Sequence, residues 1–261
     1  MKITETRGDY FYSGLFENVI QLANYNGEVY VKNLILRDSY ISGDRAGSII
    51  GYLASNNHSN AQCSIQNCAS INNYIDGNES TGGVVNNLFD SVVRSCYNTS
   101  IVVCTYYSAN PIMDLPNGIG VAGGITAGCI DESSIINCYN TGDITASGCY
   151  AGGIVGGCSA YHITNCYNVG LINGKENYIG EIAGHAEFSV IKNCYYLSDR
   201  IDIGDKGEFD EEYGEICETI EISESDLKLS SVIEKLNQNG YSEYKQDIKG
   251  INNGYPILLW Q

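Results

Sequence analysis

Basic residues, prolines and long apolar runs are all scarce in this chain, and each shortage removes a class of function. Its 261 residues include 14 lysines and arginines against 31 aspartates and glutamates, a formal net charge of -17. Between Ala46 and Gly174 the one basic residue is Arg94. Nucleic acid is therefore excluded as a partner, since neutralising phosphates takes clustered cations. An anionic membrane surface is disfavoured for the same reason. No apolar run is long enough to cross a bilayer as a helix, so no transmembrane segment is expected. The opening "MKITETRGDYFYSG" lacks the apolar centre of a secretion signal, which leaves a cytosolic protein or a piece of a longer polypeptide. There is no C-x-x-C pair, and His58, His162 and His185 lie far apart, so neither a metal site nor a cofactor is expected.

Cysteine, by contrast, is plentiful: there are eleven, an odd number, so at least one cannot pair within the chain. Their arrangement shows a repeat. "SIQNCASINN", "VVRSCYNTSI", "IINCYNTGDI", "HITNCYNVGL" and "VIKNCYYLSD" superpose, placing Cys68, Cys96, Cys138, Cys166 and Cys194 in one column. The column is evenly spaced except between Cys96 and Cys138, where the interval is half as long again. A second block follows each of the first four cysteines at a fixed distance, doubled in the long repeat: "TGGVVNNL", "AGGITAGC", "AGGIVGGC" and "IGEIAGHA". Weaker copies, "LILRDSYISGD", "AGSIIGYL" and "YSGLFENV", extend the array back to about Tyr12.

The unit is about 28 residues long, the length of one turn of a solenoid. Made of short β-rich pieces between Gly and Asn, without helical periodicity, it cannot bury its own apolar face and must stack on its neighbours. The fold class predicted is all-β, a right-handed parallel β-helix (β-solenoid) over residues 1–198, with repeats about 4.8 Å apart. Ile65, Val93, Ile135, Ile163 and Ile191 would line the interior. Asn67, Asn137, Asn165 and Asn193 would form an asparagine ladder, with Ser95 in the long repeat. The isoleucine and the cysteine are three apart, so both face inward only if the chain bends at the asparagine. The next residue, Tyr97, Tyr139, Tyr167 or Tyr195, would then point outward. Buried thiols explain the cysteine column best, since thiols are small and apolar. Disulfides between neighbouring turns are the rival, because in-register Cα atoms fall within disulfide range.

These blocks resemble the GLUG repeats of large bacterial secreted and cell-surface proteins, which also occur upstream of the catalytic domain in immunoglobulin A metallopeptidases. "GGIVGGC", "GGITAGC" and "GEIAGHA", each followed within about ten residues by "NCYN" or "NCYY", carry the likeness over roughly residues 12–197. The closing "INNGYPILLW" is similar to the ending that follows such arrays. The resemblance implies a right-handed parallel β-helix in a secreted or wall-attached protein, of which this chain is a segment. The family's proteases carry H-E-x-x-H, and nothing of that kind stands here, so no catalytic residue carries over. Asp131, Glu132, Asp143, Glu176, Glu181 and Glu187 never recur in one column, so the paired carboxylates of a polysaccharide hydrolase or lyase are not expected either.

Two features point to binding of glycan or of a host or cell-surface protein. One is the insertion at about residues 101–121, whose Tyr106, Tyr107, Ile112, Met113 and Leu115 are unusually apolar for a solvated loop. The other is the column of outward tyrosines, a strip on which sugar rings could stack. Residues 199–261 break the repeat and hold 15 acidic against 6 basic residues. Within them an amphipathic helix is predicted at about 225–238, with Ser223 or Ser225 as N-cap, Leu229, Val232, Ile233 and Leu236 on one face, and Gly240 as the stop. Its expected job is to cap the last repeat. The reading is a non-catalytic extracellular stalk or adhesin module, with a polysaccharide-active enzyme as the alternative.

Overall fold

The computed structural model describes residues 2–4, 12–25, 27–55, 63–105, 120–147, 149–159, 161–174, 179–198, 208–209, 216–238 and 240–261. Nearly all of the regular structure is β, in three long parallel sheets of 10, 7 and 12 strands. One repeat shows the path. Tyr74–Gly82 lies in the ten-stranded sheet, Val85–Phe89 in the seven-stranded one, Ser91–Arg94 and Tyr97–Asn98 in the twelve-stranded one, and Ile101–Thr105 returns to the first. In the seven-stranded sheet, strand order is chain order from Phe16–Gln21 to Glu208–Phe209, so hydrogen-bonded neighbours are one repeat apart.

Register follows the repeat. Val31, Ile65, Val93, Ile135, Ile163 and Ile191 are Cα partners in succession, and the five from Ile65 onward are completely buried. All five column cysteines join them in the same apolar core. The bend that lets both residue types face inward is present: Asn33, Asn67, Asn137, Asn165 and Asn193 have φ between 52° and 59°, and Ser95 has φ 50°. Asparagine is the side chain that tolerates this left-handed conformation best after glycine, which explains its recurrence one residue before the cysteine.

The paired glycines answer to two different neighbours. A Cβ on Gly123 would sit 1.8 Å from the carbonyl oxygen of Thr126, inside its own corner. On Gly124 it would sit 2.1 Å from the carbonyl oxygen of Gly153, in the next repeat, and 2.4 Å from Cγ of Asn140. The first glycine permits the turn and the second permits stacking.

The stacked sheet runs past residue 198, since Ile216–Ile222 pairs in parallel with Val190–Leu197. The predicted helix is in fact two, α1 (Glu224–Leu227) and α2 (Ser230–Leu236), separated by an extended Leu229 (φ -80°, ψ 149°). Ser223 is the N-cap, its Oγ accepting from the Asp226 N–H at 3.1 Å. Leu227, Val232, Ile233 and Leu236 are buried, whereas Leu229 is exposed. Breaking the helix turns Leu227 inward in place of Leu229, which the continuous i, i+3, i+4 pattern could not anticipate. The segment they belong to meets the last repeat at Asn193, whose Nδ2 donates to the backbone oxygen of Lys235 at 2.7 Å. It lies along the flank of the twelve-stranded sheet, reaching back to Ser95, where Trp260 Nε1 donates to the backbone oxygen at 2.8 Å.

Candidate interaction surfaces

The tyrosine column does face away from the repeat interior, but it is not open to solvent. Tyr97, Tyr139, Tyr167 and Tyr195 form a second apolar cluster with Leu227, Val232, Ile233, Leu236, Tyr244, Tyr255 and Leu258. The four tyrosines are between 0 and 7 % exposed. Stacking also consumes the ring faces: Tyr97–Tyr139 and Tyr139–Tyr167 centroids are each 4.9 Å apart, with planes 7° and 4° from parallel. Residues repeated in a parallel register pack face to face along the stack and show only edges outward. A sugar ring needs a free face, so the expected stacking strip is corrected to a buried docking ladder.

Polar contacts fix the C-terminal segment on that ladder. The Tyr139 hydroxyl donates to Gln261 Oε1 at 2.9 Å, and the Tyr167 hydroxyl donates to the carbonyl oxygen of Pro256 while accepting from Asn252 Nδ2. The Tyr244 hydroxyl shares its proton between the carbonyls of Cys138 and Asn165, at 3.1 and 2.9 Å. Trp260 stands against Tyr97 at 5.5 Å, where the column shrinks to Ala69 in the preceding repeat. Burial drives the phenols of Tyr139, Tyr167 and Tyr244 well above their usual range, so all three stay neutral donors.

One carboxylate shapes the end of this segment. Asp247 accepts backbone N–H groups from Ile251, Asn252 and Gly254 at 3.0, 2.8 and 3.1 Å. Burial alone would raise its pKa, but the donated N–H bonds outweigh it and the carboxyl is held below its usual value. A depressed folded-state pKa stabilises above the unfolded value, and that stability is lost as pH falls through the folded one. Acidification below about pH 4 is therefore expected to loosen the segment, seen as rising tyrosine and Trp260 solvent exposure in fluorescence quenching. Asp247→Asn is expected to flatten that acid transition. An unchanged transition in the variant would assign it to other carboxylates.

The asparagine column forms a ladder in two pieces. Asn67 Nδ2 donates to Asn33 Oδ1 at 3.3 Å, Asn165 to Asn137 at 3.1 Å and Asn193 to Asn165 at 2.7 Å. Ser95 interrupts it, and at the break Asn137 Nδ2 and Ser95 Oγ are buried without a hydrogen-bond partner. Asn165 and Asn193 also donate to the backbone oxygens of Gln238 and Lys235, tying the ladder to the end of α2.

A second, fully buried ladder went unremarked in the sequence, although the last letter of "NCYN" carries it. Asn98 donates to Asn140, Asn140 to Asn168 and Asn168 to Glu181 Oε2, at 2.9, 2.9 and 3.0 Å. Each asparagine also bonds the backbone two residues on: Asn98 to Ser100, Asn140 to Gly142 and Asn168 to Gly170. Glu181 occupies the second-glycine place in its block, where an added side chain reaches into the ladder. Its carboxylate supplies the terminal acceptor, the stronger kind of partner for an amide donor.

The column cysteines are structural. Each thiol donates to the carbonyl two residues earlier: Cys68 and Cys96 at 3.1 Å, Cys138, Cys166 and Cys194 at 3.3 Å. The five column cysteines are free thiols, and no group of three or more metal-ligating side chains gathers among the described residues.

Tyr106, Tyr107, Ile112, Met113 and Leu115 lie outside the described residues. The sheet from which residues 106–119 depart carries a further column on its outer face. Tyr40 and Tyr74 stack at 5.7 Å and are 37 and 40 % exposed, and Ile101, the register partner of Tyr74, is 47 % exposed. Exposed Asp143 takes the next place, its Oδ1 accepting from the Leu171 N–H at 3.0 Å, and Leu171 follows at 50 %. These residues alternate with the buried Ile41, Ile75, Val102 and Ile172, and that alternation is the signal that could have found them.

The architecture is similar to that of known proteins. A structure from Bacteroides ovatus, proposed to be an immunoglobulin A1 protease, matches all of this chain and 74% of its own, at a TM-score of 0.65 and 21% identity. A second structure, an IgA1 protease, matches 77% of this chain at a TM-score of 0.50 and 15% identity, and this chain spans 17% of its length. At these identities the likeness is one of fold. No protein-family model and no curated protein matches the chain. Among the described residues, no helix is long and apolar enough to cross a membrane.

Proposed function

We propose that this chain is a right-handed parallel β-helix acting as a non-catalytic stalk or adhesin module of a larger extracellular or cell-surface protein. The observation that carries the reading is the unbroken register from Val31 to Ile191, which makes a stiff rod whose side faces repeat. Two further points support it. The aromatic ladder serves internal docking, and the long insertion leaves from the sheet that also exposes Tyr40, Tyr74, Ile101 and Leu171. Binding is assigned to Tyr106, Tyr107 and Met113 on that insertion, with glycan or a host surface protein as partner. The resemblance to GLUG repeats supports extracellular placement.

The neighbouring repeat suggests the test. There Ile144–Ser147 and Cys149–Gly152 are joined through Gly148 alone, whereas residues 106–119 separate the equivalent strands one repeat earlier. Replacing 106–119 by a single glycine should leave the β circular dichroism intact and abolish binding on a glycan array or a panel of host surface proteins. Binding that survives the replacement would remove the insertion from the proposal. Polysaccharide cleavage by the intact chain would favour the hydrolase or lyase reading.

A further inference from the structure

We infer that Cys104 and Cys149 form a disulfide that ties two adjacent repeats together at the root of the insertion. Their sulfurs lie 2.9 Å apart, well inside the separation of two sulfurs in simple van der Waals contact. An approach of under ~1 Å would reach the covalent distance. Both residues are fully buried. Cys104 is the penultimate residue of Ile101–Thr105, the strand that leads into the insertion. Cys149 opens the next repeat's Cys149–Gly152 strand, whose partner is Gly120–Gly123, the strand that receives the insertion. A bond between them would fix both ends of the insertion relative to the rod.

The column thiols are oriented differently from this pair. The five column thiols are each held at 3.1 to 3.3 Å by the carbonyl two residues back. Cys104 and Cys149 make longer contacts to carbonyls, Cys104 at 3.7 Å to Glu79, Cys149 at 3.5 Å to Ser147 and 3.7 Å to Cys104 itself. Their shortest contact is to each other. The closed loop would span a sequence separation of 45. That is long enough for the cross-link to restrict the unfolded chain substantially.

The oxidant is a disulfide of a small thiol, such as oxidised glutathione, acting while the chain folds and the sulfurs are still accessible. One cysteine thiolate attacks that disulfide, forming a mixed disulfide and releasing one thiolate. The second cysteine thiolate attacks the mixed disulfide and releases the other. The two cysteines lose two electrons and two protons, and the reagent becomes two thiols.

The test is refolding of the full chain from its reduced, denatured state in a glutathione redox buffer, then alkylation in denaturant without reductant and peptide mapping. The expected product is a Cys104–Cys149 cross-linked peptide two hydrogens lighter than the sum of its parts, with Cys68, Cys96, Cys138, Cys166 and Cys194 alkylated. The thermal midpoint should rise against the reduced chain. Alkylated Cys104 and Cys149, or a cross-link between column cysteines, would overturn the inference. The map is read on the native sequence, so it does not depend on a variant folding. The Cys104→Ser, Cys149→Ser double variant should show no redox-dependent midpoint shift.

Discussion

Asn140→Ala is expected to lower unfolding stability by about 3 kcal/mol, among the largest losses available to a single polar residue in this chain. Asn140 is completely buried and joins two repeats while bonding both the N–H and the C=O of Gly142. Truncation strips the Gly142 N–H of its acceptor. It also leaves Asn98 Nδ2 and Asn168 Oδ1 with only their local partners, Ser100 and Gly170. A buried amide without a partner costs its full desolvation, roughly 1–3 kcal/mol, and the vacated space adds a cavity term. Asn67→Gly provides the contrast. The Asn67 ladder bond to Asn33 is long and exposed, at 3.3 Å. Glycine also keeps the left-handed backbone that Asn67 adopts. The loss should therefore stay within about 1 kcal/mol. Denaturant titration of the two variants side by side measures both. Equal losses would show that the buried ladder is not what holds the repeats together.

The stacking could be read from the sequence because a parallel register turns equal spacing into contact. A column of isoleucines one repeat apart has few ways to be buried other than on itself. The asparagine bend was legible for a local reason, since two inward residues three apart require a kink and asparagine tolerates one. What covers the tyrosines was not legible. Tyr139 meets Gln261 across 122 positions, and the sequence alone says only that this tyrosine leaves the repeat interior. An outward aromatic reads equally as a binding strip or as a docking ladder until its cover is known. The break at Leu229 escaped for a related reason. In one continuous helix Leu227 would stand about 200° from Leu229, on the opposite face, so burying Leu227 requires the break, and the surface on which the helices lie decides that. For the insertion, composition marks Tyr106, Tyr107 and Met113 as unusual, but an irregular loop has no register from which to infer contacts.

Ending the chain after Ile222 should have a larger effect than any point substitution. The cut uncovers Tyr97, Tyr139, Tyr167 and Tyr195 together with Val169 and Leu197, an apolar strip running along the stack. Burying one large side chain contributes roughly 1.5–3 kcal/mol, and the stacked rings keep part of that burial among themselves. The net loss is then on the order of 5 kcal/mol, comparable with the whole stability of many domains. The cut leaves this strip as a contiguous exposed apolar patch, so the truncated chain should bind an apolar dye and self-associate. Size-exclusion chromatography with light scattering, alongside dye fluorescence, reads both effects. Tyr167→Phe gives the graded version, keeping the stack but removing the hydroxyl that meets Pro256 and Asn252. Its expected cost is about 2 kcal/mol, that of two ordinary hydrogen bonds. A truncated chain that stays monomeric, dark to the dye and unchanged in melting midpoint would mean that the C-terminal segment rests on the ladder without stabilising it. The tyrosine edges would then be open to a partner after all.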